Sequence, residues 1–347
     1  MELLNNNQKI LITGTTGAIG SEVLNQLDVG NKLNGVSVLV RDSKNTRKVL
    51  KPFIDKVNVI YGDITNRDIV KKAVKNQDIV VHLAAIIPSI IDNNDDLVNR
   101  VNVGGTENIV RSMETECPNA LLLFSSSIAI YGDRIKDPEI RISDPPKGLD
   151  HDNYSRTKVD AEMIIKSSKL NWSIFRLTAI MGIGNHKISG IMFDVPLETQ
   201  FEIATVRDTA RAFVNSLDHK EELTGRVFNL GGGESCRITY FDFMSRAFNA
   251  FGLGKINFPE YAFAKQNFHC GHYMDGNELE SILQFRKDNI ESYFKRFDAS
   301  VPMIQRLFTL PFSGIIKWFL LKLSMPYKAY KNGDQVKINF FFGNIES

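Results

Sequence analysis

The sequence has only three cysteines in 347 residues, and Cys117, Cys236 and Cys270 lie far apart. Such an odd and sparse set cannot form the disulfide framework of a small secreted protein. The first ten residues also lack the apolar stretch of a signal peptide. We therefore expect a reducing, cytoplasmic setting.

The chain also lacks an excess of charge and a long apolar run. Its 42 Lys and Arg and 40 Asp and Glu residues give a formal net charge of +2, so charge gives no reason to expect a nucleic-acid partner. No stretch reaches the roughly 20 uninterrupted apolar residues of a membrane-spanning helix. The 43% hydrophobic content is ordinary for a soluble globular protein, and the length is sufficient for a sizeable core.

Short apolar runs alternate with longer helical patterns in the first half of the chain. Strands are predicted at residues 9–13, 36–40, 57–61, 79–83 and 121–125, and helices at 18–29, 43–51, 66–75 and 95–116. Further along, helices are predicted at 153–169, 208–217 and 240–251, and strands at 172–177 and 227–230. Strands of about five residues that are apolar on both faces are typical of a parallel sheet covered by helices. The alternation predicts a doubly wound α/β fold.

A glycine loop joins the first predicted strand to the first predicted helix. Gly14, Gly17 and Gly20 are three residues apart. Gly14 permits a sharp exit from the strand, Gly17 lets the backbone approach a pyrophosphate, and Gly20 permits close helix–strand packing. The N–H groups at the start of the helix attract phosphates. We therefore predict a dinucleotide-binding unit whose loop contacts also include Thr16, Ala18 and Ile19.

The glycine spacing resembles the TGxxGxxG pattern of extended short-chain dehydrogenases/reductases, the NAD-dependent epimerase/dehydratase superfamily. Other matches follow in the family's order over residues 9–233, with weaker cover to about 290. They are Gly62-Asp63-Ile64, His82-Leu83-Ala84-Ala85, Asn102-Val103-Gly104-Gly105-Thr106, Ser125-Ser126-Ser127 with Tyr131-Gly132, and Tyr154-Ser155-Arg156-Thr157-Lys158. The resemblance implies that Asp63 and Ile64 contact the adenine, and that Leu83, Ala84 and Ala85 also line the cofactor.

Tyr154 and Lys158 are four residues apart on a predicted helix and therefore share a face. A nearby ammonium lowers the phenol pKa from about 10. The resemblance implies that Lys158 holds the nicotinamide ribose, that Tyr154 exchanges a proton with the substrate oxygen, and that Ser127 hydrogen-bonds this oxygen. Ser126 takes that role if the register shifts by one. Asn102 is expected to help in the proton path or in local architecture. The alternative for the Tyr–Lys pair is two solvated helix residues.

Arg41 follows the second predicted strand, where a ribose-binding residue is expected. A guanidinium suits a 2′-phosphate, and Arg41 and Lys48 match the phosphate-binding positions of the dihydroflavonol-reductase-like branch. Asp42 is the acidic NAD ligand if the register shifts by one. We therefore favour NADP over NAD.

Two positions bear on the reaction. Residues 125–129 contain no acid beside the catalytic hydroxyl, which argues against a dehydratase. Ala179 occupies the place of an asparagine that contacts the substrate diphosphate in many sugar-nucleotide epimerases, and alanine cannot make that contact. Residues 176–182 resemble the RPxxxxG segment of the reductase branch, although Leu177 replaces the proline.

The apolar segment 187–202 is expected to line the substrate pocket. The predicted substrate contacts are Ser127, Thr178, Ile188, Met192 and Phe193. The alternative for the apolar residues among them is ordinary core packing. No metal site is predicted, because the His269-Cys270-Gly271-His272 run lacks a second ligand pair at a usable spacing.

The predicted architecture is a Rossmann domain at residues 1–182, with strands and helices returning at about 203–233. A smaller α/β substrate-binding region follows at 183–300, and a hydrophobic helical extension at 301–347. Residues 307–325 are rich in Phe, Leu and Ile and are interrupted by Pro311, Lys317 and Lys322. We favour a cap packed on the body over an interfacial segment that meets membrane or an apolar substrate.

The function we expect is hydride transfer between NADP(H) and a ketone or alcohol that is hydrophobic or of medium size. The alternative is a sugar-nucleotide epimerase with tightly bound NAD. A non-catalytic NADP sensor is a third reading, which the intact Ser–Tyr–Lys set disfavours. A homodimer is expected from the resemblance alone.

Overall fold

The computed structural model describes residues 8–87, 94–149, 152–184 and 189–343. The strands are β1 Ile10–Thr13, β2 Val36–Val40, β3 Asn58–Tyr61, β4 Ile79–His82, β5 Leu121–Ser127, β6 Glu139–Ile140, β7 Asn171–Leu177, β8 Ala179–Met181, β9 Gln200–Thr205, β10 Arg226–Leu230, β11 Arg237–Thr239 and β12 His272–Tyr273. The α-helices are α1 Ala18–Val29, α2 Lys44–Leu50, α3 Arg67–Val74, α4 Asp95–Asn99, α5 Gly105–Glu116, α6 Asn153–Lys166, α7 Val206–Asn215, α8 Lys220–Leu223, α9 Tyr240–Ala250, α10 Asn277–Leu283, α11 Ile290–Ser300, α12 Met303–Thr309, α13 Ser313–Leu321, α14 Met325–Asn332 and α15 Gln335–Phe342.

The main sheet has seven strands in the order β10-β7-β5-β4-β1-β2-β3, and every neighbouring pair is parallel. The chain builds outward from β1 through β2 to β3 and then crosses back to place β4 on the other side of β1. In such sheets the ligand crevice opens at the carboxyl ends of the strands where the order reverses. The predicted α/β fold class is confirmed, and each of the seven strands lies within two residues of its predicted bounds.

The strands of this sheet are buried on both faces. Along β1, Ile10 and Ile12 belong to one core cluster, whereas Leu11 belongs to a second cluster on the opposite face. Helix α1 packs beside α7 on one side, and α3 packs beside α5 on the other. Alternate side chains of a strand point to opposite faces, so the continuous apolar runs of the sequence follow from a helix layer on each side.

The predicted helix at 95–116 is interrupted. It consists of α4, a π-helical turn from Arg100 to Gly104, and α5. Turns of this kind insert one residue and often occur at functional sites. Here the turn carries Asn102, whose side chain leaves the helix axis to contact the loop after β4.

Short strands beside the main sheet were not predicted. They form a three-stranded sheet in the order β11-β9-β8 and a two-stranded sheet of β12 and β6. They pack around a separate core rich in aromatic residues, which includes Phe193, Phe201, Phe243 and Phe248. Four of these strands have only two or three residues and are too short for a period of two to emerge from the sequence, whereas β9 has six.

The C-terminal extension is helical, as predicted, and contains α12 to α15. Helices α14 and α15 bury Ala329, Ile338, Phe341 and Phe342 in a small cluster with Tyr261. In contrast, neither α12 nor α13 contains a buried side chain within the described chain.

Candidate active site at the carboxyl edge of the sheet

The loop between β1 and α1 requires two of its glycines for its own packing. Gly14 has a φ of +78°, and a Cβ there would lie 2.6 Å from the backbone nitrogen of Ala84. A Cβ on Gly20 would lie 2.7 Å from the Cα of Thr15. Both separations are shorter than carbon atoms tolerate, so the loop, the segment after β4 and α1 approach each other only because these side chains are absent.

Gly17 differs from its two neighbours in the motif. It is exposed, and the nearest atom to a Cβ there would be the carbonyl oxygen of Gly14 at 3.3 Å. It is also the N-cap of α1, and that helix has no acidic residue in its first turn. The positive end of the helix dipole is therefore open to solvent, because no side chain covers it. A phosphate needs this kind of access to the helix N-terminus.

A chain of buried hydrogen bonds ties the glycine loop to the segment after β4. Thr13 Oγ1 lies 2.9 Å from His82 Nδ1, and His82 Nε2 lies 3.1 Å from Thr106 Oγ1. Thr106 donates its own proton to the Asn102 carbonyl, so it accepts one from Nε2, which leaves Nδ1 as the acceptor. Burial lowers the pKa of His82 to about 3. This histidine is therefore neutral, and it links β1 and β4 to helix α5.

Asn102 links the cofactor side of the site to the helix that carries Tyr154. Its Oδ1 accepts the N–H of Ile86 at 2.8 Å, and its Nδ2 donates to the Ile86 carbonyl at 2.9 Å and to Thr157 Oγ1 at 3.1 Å. The side chain is buried. These contacts favour the architectural side of its predicted role, as a positioning residue next to Lys158.

Ser127, Tyr154 and Lys158 come together where β5 ends and α6 begins. Lys158 donates from Nζ to the Ser125 carbonyl at 2.7 Å, and its Nζ lies 5.8 Å from the centre of the Tyr154 ring. The Ser127 hydroxyl is close enough to the Tyr154 phenol to oppose the rise in its pKa. Ser127 Oγ accepts the N–H of Ala129 at 3.2 Å, which fixes its orientation.

Burial dominates the protonation of this group. It raises the pKa of Tyr154 to about 12, against the effect of the Ser127 hydrogen bond. It lowers the pKa of Lys158 to about 8, and the Glu162 carboxylate opposes that shift. The expected lowering of the tyrosine pKa by lysine is absent in this arrangement, because the ammonium is directed at the Ser125 carbonyl. The neutral phenol is the form present at pH 7.

A buried ion pair beneath the site was missed in the sequence. Arg176 donates from Nε and Nη2 to the two carboxylate oxygens of Glu162, at 3.0 and 2.8 Å. Ser126 donates to the same carboxylate at 2.6 Å. The Ser126 hydroxyl is thus used inside the protein, which favours Ser127 as the serine that faces a substrate. Glu162 lies one turn after Lys158, and this spacing was the available signal.

The opposite end of the crevice carries the residues predicted to bind the adenosine half. Arg41 and Lys48 are exposed, whereas Asp42 is held by Arg47 through two hydrogen bonds of 2.9 and 2.8 Å. Burial acts to raise the pKa of Asp63, but hydrogen bonds from Thr65 and the charge of Arg41 lower it overall. Arg41 and Asp63 therefore lie near each other, just beyond the ends of the adjacent strands β2 and β3.

Ile64 and the predicted substrate residues are less accessible. Ile64 packs in the core near Gly105. Thr178 is buried and donates its hydroxyl to the Glu202 carbonyl. Phe193 is fully buried, with its ring centre 4.9 Å from that of Phe263, and Met192 belongs to the same core. These positions favour the core-packing alternative. Ile188 lies outside the described residues.

One acidic residue in this region was not singled out in the sequence. Neither carboxylate oxygen of Asp194 has a hydrogen-bond partner among the described residues, and burial raises its pKa to about 7. Within the same part of the chain, no group of three His, Cys, Asp or Glu side chains is arranged to hold a metal ion. All three cysteines are free and buried.

Several curated proteins are similar in sequence. A 3β-hydroxysteroid dehydrogenase/Δ5→4-isomerase of Mycobacterium tuberculosis is 27% identical over 225 residues, 61% of this chain and 58% of that protein. A dTDP-glucose 4,6-dehydratase of the same species is 27% identical over 162 residues, 46% of this chain and 48% of the relative. The chain therefore spans only about half the length of these relatives.

Solved structures show the same fold at lower identity. A dTDP-glucose 4,6-dehydratase from Streptomyces venezuelae, with NAD bound, superimposes with a TM-score of 0.69 at 19% identity, covering 84% of this chain and 96% of that one. A UDP-glucuronic acid 4-epimerase from Bacillus cereus, also with NAD, gives 0.68 at 20% identity, with 84% and 99% covered.

One family model matches this chain over a much longer range of residues than any single motif. It covers residues 10–231, from the first strand of the main sheet to the end of the last. This range contains the glycine loop, Ser127 and the Tyr154–Lys158 pair in the order of the resemblance. The chain belongs to the NAD-dependent epimerase/dehydratase family.

Proposed function

We propose that this protein is an oxidoreductase that transfers hydride between NADP(H) and a hydrophobic ketone or alcohol. The observation that carries the proposal is the grouping of Ser127 and Tyr154 beside the buried Lys158, at the sheet edge where the glycine loop also opens. Ser127 and Tyr154 are the predicted substrate-facing catalytic residues, and Asn102 positions the helix that carries Tyr154 and Lys158.

The residues fit a nicotinamide dinucleotide. Gly17 leaves room at the start of α1 that a side chain would fill. The loop residues that would hold the pyrophosphate are Gly14, Thr16, Gly17, Ala18, Ile19 and Gly20. Leu83, Ala84 and Ala85 follow β4 on the neighbouring side, and Lys158 would hold the ribose next to the nicotinamide. When bound, this cofactor supplies the hydride chemistry that the side chains themselves lack.

Tyr154 is suited to give a proton to a substrate carbonyl. At pH 7 its phenol is neutral, because burial raises its pKa to about 12, and a proton donor must begin in that state. Ser127 would hydrogen-bond the same oxygen and hold it near the phenol. The reverse reaction requires the phenolate, so alcohol oxidation should become faster as pH rises, whereas ketone reduction should not.

NADP is the preferred cofactor in this proposal. Asp42, the residue that would accept hydrogen bonds from the ribose of NAD, already accepts two from Arg47. Arg41 and Lys48 are exposed and available for a 2′-phosphate. Asp63 would contact the adenine, with Ile64 behind it. Titration of the protein with NADPH and with NADH tests the preference, and tighter binding of NADH would overturn it.

The second candidate function is sugar-nucleotide epimerisation with bound NAD. The resemblance in fold to a UDP-glucuronic acid 4-epimerase favours it, and Ala179 in β8 argues against it because alanine cannot bind the diphosphate. An NADPH-oxidation screen against ketones and aldehydes, run beside an epimerase assay, separates the two. Net NADPH consumption supports the reductase, whereas NAD retained through purification together with epimerised sugar supports the alternative.

A homodimer and a cytoplasmic location complete the proposal. The first rests on the resemblance alone, and light scattering of the purified protein tests it. The second rests on the three buried, free cysteines.

A further inference from the structure

The surface of residues 303–323, here called the apolar segment, is unusually rich in exposed apolar side chains. Ten of the twenty large hydrophobic side chains that are exposed in the described chain lie in these 21 residues. Leu307 is 66% exposed, Phe308 68%, Ile315 57% and Trp318 53%. A concentration of this kind marks an interaction surface, because isolated soluble proteins seldom expose contiguous apolar patches of large area.

The apolar segment is held firmly against the rest of the protein. On its inner side, Ile316, Leu320 and Leu321 pack on the aromatic core. Lys317 donates from Nζ to the Lys255 carbonyl at 2.9 Å, and just beyond the segment Ser324 donates to the Ala262 carbonyl at 2.7 Å. The outer face of the apolar segment therefore has a fixed position on the body of the protein.

Charge identifies the class of partner. No Asp or Glu occurs between Asp298 and Asp334, whereas the same stretch contains five basic residues, Arg306, Lys317, Lys322, Lys328 and Lys331. The Lys322 ammonium lies 3.4 Å from the centre of the Trp318 ring. Tryptophan and lysine side by side on an apolar, cationic surface are typical of segments that lie in a lipid headgroup layer. Two copies meeting through this face would bring like charges together, whereas an anionic bilayer neutralises them.

The shape of the segment does not suit a straight membrane span. Among the described residues, no single helix is long and apolar enough to cross a membrane. Together, Met303–Leu321 and Met325–Asn332 have the length and the apolar composition of a membrane span, but the pair is bent by 63°. The 3-10 turn Leu310–Phe312 also separates α12 from α13. Lys317 is bonded to the body halfway along, so the segment cannot leave the protein surface as one straight span.

We propose that residues 303–323 dock the protein on the surface of a bilayer that contains anionic lipids. Met192 and Phe193 belong to the same core as Ile316 and Leu320. Part of the predicted substrate segment therefore packs, through this core, against the inner side of the apolar segment. The entry of an apolar substrate from the bilayer by way of this contact would rest on the proposed function, whereas the docking itself does not.

Flotation of the full-length protein with vesicles tests the docking. One set of vesicles is pure phosphatidylcholine and the other contains 30% phosphatidylglycerol. We expect at least tenfold more protein to float with the anionic vesicles, and this difference to shrink in high salt. The variant L307Q/F308Q/I315Q should lose at least tenfold of the binding. Its matched control is V29Q/I54Q/M163Q, which changes three exposed apolar residues outside the segment and should bind like the unaltered chain.

Circular dichroism of both variants checks that they remain folded, as the exposure of all six residues predicts. Failure of the unaltered protein to bind anionic vesicles would overturn the proposal. It would also be overturned if the segment variant bound as well as the control, or if the segment variant lost a dimer seen by sedimentation while vesicle binding was absent throughout. Turnover of soluble substrates, measured without vesicles, reports on the proposed catalytic function separately.

Discussion

The main sheet and the apolar segment are both rich in Leu, Ile and Phe, yet they use these residues in opposite ways. In β1, β4 and β5 the apolar side chains are almost completely buried. In α12 and α13 they are mostly exposed, and the helices touch the body along one narrow side. Apolar composition alone therefore does not determine burial. In the sheet, burial results from two helix layers that the connections place on both faces.

Polar residues show the same contrast. At the carboxyl edge of the sheet, His82, Asn102, Glu162 and Arg176 are buried, and all are hydrogen-bonded. On the apolar segment none of the basic residues Arg306, Lys317 and Lys322 is buried. A buried charge is tolerable only when it is paired, so the sheet edge is sensitive to single substitutions, whereas the outer surface of the segment should not be.

The largest expected effect is on turnover. The Y154F substitution removes the proton donor while the ring and its packing remain, so we expect the rate to fall by about 10²- to 10⁴-fold. Binding of NADPH should stay within about twofold. The matched control is Y330F, which removes a phenol in the C-terminal helices and should leave kcat unchanged. Equal loss of turnover and cofactor binding in Y154F would indicate a folding role for Tyr154.

The next effect is on stability at the buried ion pair. The E162Q substitution leaves the Arg176 guanidinium without its carboxylate, which typically costs about 3–5 kcal/mol. Urea unfolding of the two proteins measures this loss. The control is E291Q, which breaks the exposed ion pair with Arg246 and should not change the midpoint measurably. A similar midpoint for E162Q and the unaltered chain would contradict the contrast drawn here between buried and exposed charge.

Replacing single glycines should separate packing from ligand binding within one loop. The G14A substitution forces alanine to a φ of +78° against Ala84, so we expect a loss of about 1–3 kcal/mol. G17A meets one atom at 3.3 Å and should fold nearly as well as the unaltered chain, while its methyl group blocks the approach of the pyrophosphate. Thermal melts with and without NADPH distinguish the two. A G17A protein that is still stabilised by NADPH to the normal extent would remove Gly17 from the cofactor site.

The success of sequence reasoning differs between the two regions for a physical reason. The strands of the main sheet could be predicted because burial on both faces produces continuous apolar runs. Tyr154 and Lys158 could be paired because a helix has a fixed repeat. The exposure of α12 and α13 could not be predicted, because an amphipathic helix has the same pattern whether its apolar side meets protein or lipid.

Neither the π-helical turn nor the partner of Glu162 could be predicted from the sequence. In this turn Asn102 contacts Ile86, sixteen residues away, and the periodic pattern of the sequence does not record such a contact. Arg176 on β7 meets Glu162 only because helix α6 packs against that strand. The spacing of Glu162 after Lys158 indicated a shared helix face, but the burial that gives this face its importance is a tertiary property.

The smallest expected effect concerns Asp194, a charge that departs from the rule of paired burial. Burial raises its pKa to about 7 from 3.8, so the folded protein holds a proton there that the unfolded chain has lost. Stability should therefore fall as pH rises from about 4 to 7 and then level off. The D194N variant imitates the protonated form, so its stability relative to the unaltered protein should increase as pH rises across this window. Urea midpoints at pH 4, 6 and 8 measure the gap, and D55N supplies an exposed carboxylate for comparison. A gap that is the same at all three pH values would mean that an unidentified partner holds the charge of Asp194.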